Sequence, residues 1–67
     1  MITITCNGKE KQVAATGTVL ELIAELKLDP ATVVVECDRK ILKPEEYAGY
    51  CLHEGAVLEL VRFVGGG

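Results

Sequence analysis

The C-terminal segment carries the residues best suited to chemistry. The sequence closes with Gly65, Gly66 and Gly67. Glycines lose the most entropy when ordered and bring no side chain to pack, so we expect residues 64–67 to form a mobile tail. Without Cβ atoms, such a tail can enter a narrow channel and deliver the Gly67 carboxylate to another enzyme's active site. Composition alone favours the plainer interpretation, a frayed chain end.

Transfer chemistry at Gly67 would require an activating partner. A carboxylate is anionic and resonance-stabilised, so it needs conversion to an acyl-phosphate type of intermediate before sulfur or nitrogen can attack it. The sequence contains neither a Gly-x-x-x-x-Gly-Lys-Ser/Thr phosphate loop nor a Gly-x-Gly-x-x-Gly fingerprint. The chain is therefore predicted not to perform the activation itself.

The thiols and the single imidazole favour structural interpretations. Cys6, Cys37 and Cys51 are odd in number, widely spaced and without a Cys-x-x-Cys pair, which argues against a disulfide framework and a zinc site. Cys6 and Cys37 fall at apolar strand positions, where a thiol packs as a small hydrophobe, whereas the role of Cys51 stays open. A plant-type iron–sulfur cluster would need four cysteines. His53 has no acid or cysteine at ligand spacing and is predicted to be a solvated turn residue.

Size and charge exclude several classes of protein. A chain of 67 residues buries only about 60% of the surface that its unfolded form exposes, which leaves no room for a deep two-lobed active site. The net charge of −3 disfavours nucleic-acid binding. The N-terminus lacks the features of a signal peptide, and no stretch approaches the roughly 20 apolar residues of a membrane span. We expect a single cytoplasmic domain over residues 1–67 that binds neither nucleic acid nor membrane.

The elements that must position this tail begin with a hairpin and a helix. Residues 2–6 alternate between apolar and polar, and Asn7-Gly8 favours a two-residue type I′ turn into a strand near residues 9–15. Thr18 and Glu21 fit a capping box, which predicts a helix start, and Asp29-Pro30 is predicted to end that helix. The turn predicts the register Cys6 with Lys9, Ile4 with Lys11, and Ile2 with Val13.

The middle of the chain predicts a buried strand and a short edge segment. Residues 32–37 are β-branched and too few for a typical helix, so they predict a central strand buried on most of both faces. Residues 41–42 are consistent with a brief edge strand, and Pro44 is typical of the opening of a short helical turn. Residues 53–55 predict a further turn before the last strand.

The last strand, predicted over residues 56–64, has an unusually apolar outer face. Leu58 and Leu60 share one face. The opposite face carries Val57, Val61 and Phe63 together with Glu59. Because exposed apolar patches often mark interaction sites, Val57, Val61 and Phe63 are candidate partner-binding residues. Burial beneath the hairpin or the 44–52 segment is an equally open alternative.

The order of elements predicts the fold class. A hairpin, a helix, a strand, a short edge segment and a final strand form an α+β pattern, with a mixed sheet of four to five strands packed on one main helix. This is the β-grasp, or ubiquitin-like, arrangement, here followed by a flexible glycine C-terminal tail.

Several segments resemble the sulfur carrier proteins of thiamine biosynthesis, the ThiS family, over essentially the whole chain. The resemblance rests on Asn7-Gly8, on residues 33–36, 41–44 and 53–55, and above all on the closing Leu-Glu-Leu-Val-Arg-Phe-Val-Gly-Gly-Gly of residues 58–67. A Gly-Gly end alone also fits the molybdopterin-synthase small subunit and other ubiquitin-like modifiers. Two turn residues depart from the family pattern: Asp38, where asparagine is commoner, and Ala56, where an acidic residue often stands.

The resemblance implies a cycle of reactions at Gly67. An E1-like adenylyltransferase would use ATP and magnesium to adenylate the carboxylate, and a cysteine desulfurase or other sulfurtransferase would supply sulfur. Thiazole synthase would then receive sulfur from the resulting thiocarboxylate. The chain would be a co-substrate with no bound cofactor or metal. Two alternatives stay open, namely a thiocarboxylate carrier for molybdopterin or amino-acid sulfuration, and a non-covalent β-grasp interaction module with an inert tail.

Overall fold

The computed structural model describes residues 1–62, which form one mixed sheet and one α-helix. The elements are β1 (Ile2–Cys6), β2 (Lys9–Val13), α1 (Val19–Glu25), β3 (Val33–Cys37), β4 (Lys40–Leu42), a 3-10 helix (Pro44–Glu46) and β5 (Val57–Arg62). The strand order is β2-β1-β5-β3-β4, with β1 and β5 parallel and all other neighbours antiparallel. This architecture confirms the predicted α+β, β-grasp class.

Both hairpins turn through the same left-handed backbone conformation. Asn7 and Gly8 have φ angles of 52° and 80°, and Asp38 and Arg39 have φ angles of 51° and 71°. Positive φ at both central residues is the property of a type I′ turn, whose twist matches that of the flanking strands. The register of β1 with β2 follows the prediction along its whole length.

The capping box starts α1 where the sequence predicts. The Thr18 backbone N–H donates to Glu21 Oε1 over 2.9 Å, and Thr18 Oγ1 accepts from the Glu21 N–H over 3.3 Å. Each side chain of the box therefore accepts from a backbone N–H donor that the start of the helix leaves without a partner.

The predicted end of α1 is wrong, because the helix closes before Asp29-Pro30. Lys27 adopts a φ of 60°, and its N–H donates to the Ala24 carbonyl over 3.0 Å. The Leu28 N–H donates to the Ile23 carbonyl over the same distance. This pair of bonds is a Schellman motif, which satisfies the last helical carbonyls without help from the proline.

The core lies between α1 and the inner face of the sheet. Its buried side chains include Ile4, Val19, Ile23, Val35, Cys37 and Leu58, which are at most 1% exposed. Tyr47, which follows the 3-10 helix, is buried, and its hydroxyl donates to the Val33 carbonyl over 3.1 Å. The segment between β4 and β5 is thereby anchored to the same core.

The prediction that residues 32–37 form the central strand is wrong. The central position belongs to β5, which lies between β1 and β3. Val33, Val35 and Cys37 of β3 are buried, whereas Val34 and Glu36 are only half-buried. Burial of β3 is therefore greater on the inner face, and its β-branched composition did not distinguish one buried face from two. No helix within residues 1–62 has the length and apolarity needed to cross a membrane.

Candidate functional site

The described residues contain part of the predicted site. Val57 and Val61 lie in β5, while Phe63, Gly65, Gly66 and Gly67 lie outside the described residues, as does the predicted mobile tail. The described part of β5 ends at Arg62, directly before this segment. Residues 63–67 could span at most about 18 Å when fully extended, which limits how far residue 67 can lie from Arg62.

The outer face of β5 is exposed. Val57 and Val61 are 49% and 59% exposed, whereas Leu58 and Leu60 on the inner face are 0% and 8% exposed. The alternation of the two faces is as predicted, and burial of Val57 and Val61 beneath the hairpin or the 44–52 segment is excluded. Two valines on one strand are thus free to contact another molecule.

Asp38 fixes the start of β5. Its backbone N–H donates to the Val57 carbonyl over 2.8 Å, and its Oδ1 accepts from the Val57 N–H over 3.0 Å. The hydrogen bond from Val57, followed by the one from His53, lowers the pKa of the Asp38 carboxyl. The turn between β3 and β4 therefore holds both backbone groups of the first residue of β5.

His53 has an acidic partner that the sequence did not predict. Its Nε2 lies 2.8 Å from Asp38 Oδ2, and its Nδ1 lies 3.1 Å from the Glu54 carbonyl oxygen. Both ring nitrogens face acceptors, an arrangement that suits the doubly protonated imidazolium. The Asp38 hydrogen bond, and then the Glu54 carbonyl, raise the pKa of His53. The side chain is still solvent-exposed, as predicted.

Asn7 holds β5 near its other end. Asn7 Oδ1 accepts from the Leu60 N–H over 2.8 Å, and Asn7 Nδ2 donates to the Leu60 carbonyl over 3.4 Å. The Asn7 backbone N–H donates to the Leu58 carbonyl over 2.9 Å. The asparagine side chain thus continues the hydrogen-bond ladder where β1 has already turned away.

These two roles of Asn7 and Asp38 do not follow from the sequence alone. The sequence predicts both only as turn residues, because their partners in β5 lie 53 and 19 residues away. The available signal was their chemistry, because asparagine and aspartate side chains can both adopt left-handed turns and bond to neighbouring backbone. Which backbone they reach depends on the strand order.

The thiols contribute packing to this arrangement. Cys37 is buried and Cys6 is half-buried, and burial is the main cause that raises the pKa of each thiol. Raised pKa values keep these thiols protonated and poorly nucleophilic at neutral pH. Cys51 is exposed. Within residues 1–62, no group of three or more His, Cys, Asp or Glu side chains could hold a metal ion.

Comparison with known proteins yields one consistent group of relatives. Residues 2–67 match the ThiS family. The sulfur carrier protein ThiS of Bacillus subtilis is 40% identical over 62 residues, covering 91% of this chain and 94% of that protein. A thiazole synthase of Paramagnetospirillum magneticum is 38% identical over 64 residues. That match covers 96% of this chain, which spans only 20% of the thiazole synthase.

Solved structures show the same fold. The crystal structure of the thiamine biosynthesis protein (ThiS) from Geobacter metallireducens superposes with a TM-score of 0.83 at 32% identity, covering 98% of this chain and 100% of that one. The solution structure of a thiamine biosynthesis protein from Geobacter metallireducens gives a TM-score of 0.80 at 33% identity, covering 98% of this chain and 88% of that one.

Proposed function

The chain belongs to the ThiS family, and on that premise we propose that it carries sulfur as a thiocarboxylate on Gly67 for thiazole formation. Membership makes it a sulfur carrier of thiamine biosynthesis, which is a protein co-substrate and not a catalyst. The observation that carries the proposal is that the family match extends through the three closing glycines to residue 67.

The proposed reaction begins with activation of Gly67. In an E1-like adenylyltransferase, a carboxylate oxygen of Gly67 attacks the α-phosphorus of magnesium-bound ATP, forming an acyl adenylate and releasing pyrophosphate. The mixed anhydride makes the carbonyl carbon electrophilic and gives it a good leaving group, AMP. The partner supplies ATP and magnesium, so this chain needs neither as a resident cofactor.

Sulfur then replaces the adenylate. The terminal sulfur of a persulfide, on a cysteine desulfurase or other sulfurtransferase, attacks the acyl carbon and expels AMP. Attack by a donor thiolate on the resulting acyl disulfide forms a disulfide on the donor side and releases the thiocarboxylate on Gly67. The thioacid sulfur is nucleophilic and stays attached to a protein surface that partners can recognise.

Thiazole synthase is the proposed acceptor. Its support is the relative in which a segment 38% identical to this chain occurs within a longer thiazole synthase polypeptide. Joining a carrier to its acceptor in one chain raises their effective concentration, so such a union is favourable where the two must meet.

The structure supports the proposal through the arrangement of β5. Asp38 and Asn7 hold Val57 and Leu60 in place, and the outer valines lie beside the strand end that leads to residues 63–67. A partner that docks on this face is close enough to receive the carboxylate within the reach of those residues.

The test is an intact mass measurement after reconstitution. We expect the chain ending at Gly67, incubated with ATP, magnesium, an E1-like enzyme and a persulfide donor, to gain the mass of one sulfur-for-oxygen replacement. A variant lacking Gly67 should remain unmodified in the same mixture. An unchanged mass for the full chain would overturn the thiocarboxylate proposal and leave the inert-tail interaction module as the better account.

A further inference from the structure

Two glutamates lie directly opposite each other on the outer face of the sheet. Glu36 of β3 and Glu59 of β5 are Cα partners in the antiparallel ladder. Within residues 1–62, neither carboxylate forms an ion pair with a lysine, arginine or histidine. Like charges directly opposite each other destabilise a sheet. The free chain therefore contains a repulsion that no ion pair of the described part relieves.

Apolar side chains surround this acidic pair. Val61 lies opposite Val34 in the next outward-facing pair, and Ile41 of β4 lies opposite Glu36 on its other side. Val57 precedes Glu59 by two residues on the same face. Ile41, Val57 and Val61 are all exposed. We call this surface the acidic-apolar face, which comprises Val34, Glu36, Ile41, Val57, Glu59 and Val61.

A shallow depression lies beside the two glutamates. Thr5, Gly8, Val57 and Arg39 line it together with Glu36 and Glu59. Arg39 belongs to the left-handed turn between β3 and β4 and is exposed. Although its charge could offset the pair, the guanidinium forms no ion pair with either glutamate, so the carboxylates remain available to a cation from outside.

We propose that the acidic-apolar face docks a surface of thiazole synthase that presents one arginine or lysine side chain among apolar ones. The cation would lie between Glu36 and Glu59, and the apolar neighbours would cover Val57, Val61 and Ile41. An arginine fits best, because its planar guanidinium offers five donors and can bond two carboxylates at once. The identity of the partner rests on the proposed function, whereas the chemistry of the contact rests on the face itself.

The negative charge of the face and its distance from Gly67 both favour a cationic surface of thiazole synthase as the occupant. A second copy of the chain would bring another pair of glutamates against the first, since an isologous contact places the same patch on both sides. A cationic partner instead relieves the repulsion when it binds. The face also includes β5, which ends in the described part of the chain at Arg62. Residues 63–67 could extend at most about 18 Å from there, so a partner on this face would be within reach of Gly67.

The test compares a double variant, Glu36→Gln with Glu59→Gln, against the unchanged chain. By titration calorimetry with purified thiazole synthase, we expect the double variant to raise Kd by about 10-fold or more, because a desolvated cation loses its partners. The dependence of Kd on salt concentration should become weaker in the same variant. The free double variant should melt a few degrees higher than the unchanged chain, because the repulsion has gone.

The matched control is Glu45→Gln. Glu45 is exposed on the 3-10 helix and belongs neither to the acidic-apolar face nor to the lining of the depression, so its replacement should leave Kd unchanged. If the double variant binds thiazole synthase with the same Kd as the unchanged chain, the inference is wrong and the proposed function stands. An unchanged chain that shows no binding to thiazole synthase would overturn both the inference and the proposed acceptor.

Discussion

The two faces of β5 use similar residues for opposite purposes. Leu58 and Leu60 point inward and are almost fully buried, while Val57 and Val61 point outward and are about half exposed. The inner side chains contribute to the core beneath α1. The outer ones lie over no described element and are left for contact with other molecules. One strand of six residues thus combines a buried face with an exposed apolar face.

This division depends on how firmly the strand is held. Asp38 at Val57 and Asn7 at Leu60 bind the backbone of β5, so the side chains on both faces keep their directions. Both residues occupy left-handed turns, and both use side-chain oxygens as acceptors for strand N–H groups. The backbone of β5 is therefore held by one side chain from each hairpin turn.

Replacing Leu58 by alanine should have the largest effect on stability. The side chain is fully buried, and truncation of a buried leucine costs about 2–5 kcal/mol, part of it from the cavity that remains. The urea midpoint should fall accordingly, and the matched Val61→Ala change on the outer face should shift stability by less than about 0.5 kcal/mol. Equal losses for the two variants would show that the faces do not differ.

Replacing Val61 by aspartate should impair contact with a partner and leave the fold intact. The outer face would gain a third carboxylate next to Glu59 and lose apolar contact area, so adenylation by the E1-like partner should fall roughly 10-fold or more. The far-UV circular dichroism spectrum should stay that of the unchanged chain. If the variant is adenylated normally, the outer face does not dock the E1-like partner. A variant that unfolds would contradict the exposed position of Val61.

Replacing Asn7 by glycine tests the link between the two faces. Glycine keeps the left-handed turn but removes both side-chain bonds to Leu60, so we expect a loss of about 1–2 kcal/mol. Hydrogen exchange should accelerate at the Leu60 amide more than at the amides of β3. A uniform acceleration across the sheet would instead indicate that Asn7 acts through global stability alone.

The ion pair of His53 with Asp38 should give the smallest effect, visible as a pH dependence. Because the pKa of His53 is raised in the folded chain, its contribution to folding stability is full below the ordinary pKa of 6.5. That contribution is lost as pH rises through the raised pKa. Because the pKa of Asp38 is lowered in the folded chain, its contribution to folding stability is present above the ordinary pKa of 3.8. That contribution is lost as pH falls through the lowered pKa. The pair is therefore strongest between these two ordinary values.

An NMR titration of the His53 imidazole checks this assignment. Its inflection should lie above 6.5 in the unchanged chain and move back toward that value in Asp38→Asn. Asparagine keeps an acceptor for the Val57 N–H, so β5 should stay in place. An inflection that Asp38→Asn leaves unchanged would contradict the pairing of the two side chains.

Local features of this fold were predictable from sequence, and long-range ones were less so. The type I′ turn at Asn7-Gly8 and the capping box at Thr18 depend on neighbouring residues, and both are confirmed. The predicted end of α1 is wrong because Lys27 adopts a left-handed conformation and closes the helix before Asp29-Pro30. Lysine has no strong preference for that conformation, so its sequence position gives no warning.

Strand order explains the remaining differences. A β-branched run such as residues 33–35 indicates burial but not how many faces of the strand are covered. Composition therefore predicts a central place for β3, whereas β5 is the strand that holds it. The same order decides that Asn7 and Asp38 reach β5 and that Glu36 meets Glu59. None of these contacts has a signature in residue spacing, because each joins segments that are distant in sequence.

The most direct test of the central claim follows one sulfur atom from the chain to its acceptor. The thiocarboxylated chain, labelled with radioactive sulfur at Gly67, would be mixed with thiazole synthase and its other substrates in a single turnover. The account predicts that label leaves the chain in equal measure with its arrival in the thiazole product, and that the chain returns to its unmodified mass. Thiazole that forms without label, while the chain retains its sulfur, would contradict the account.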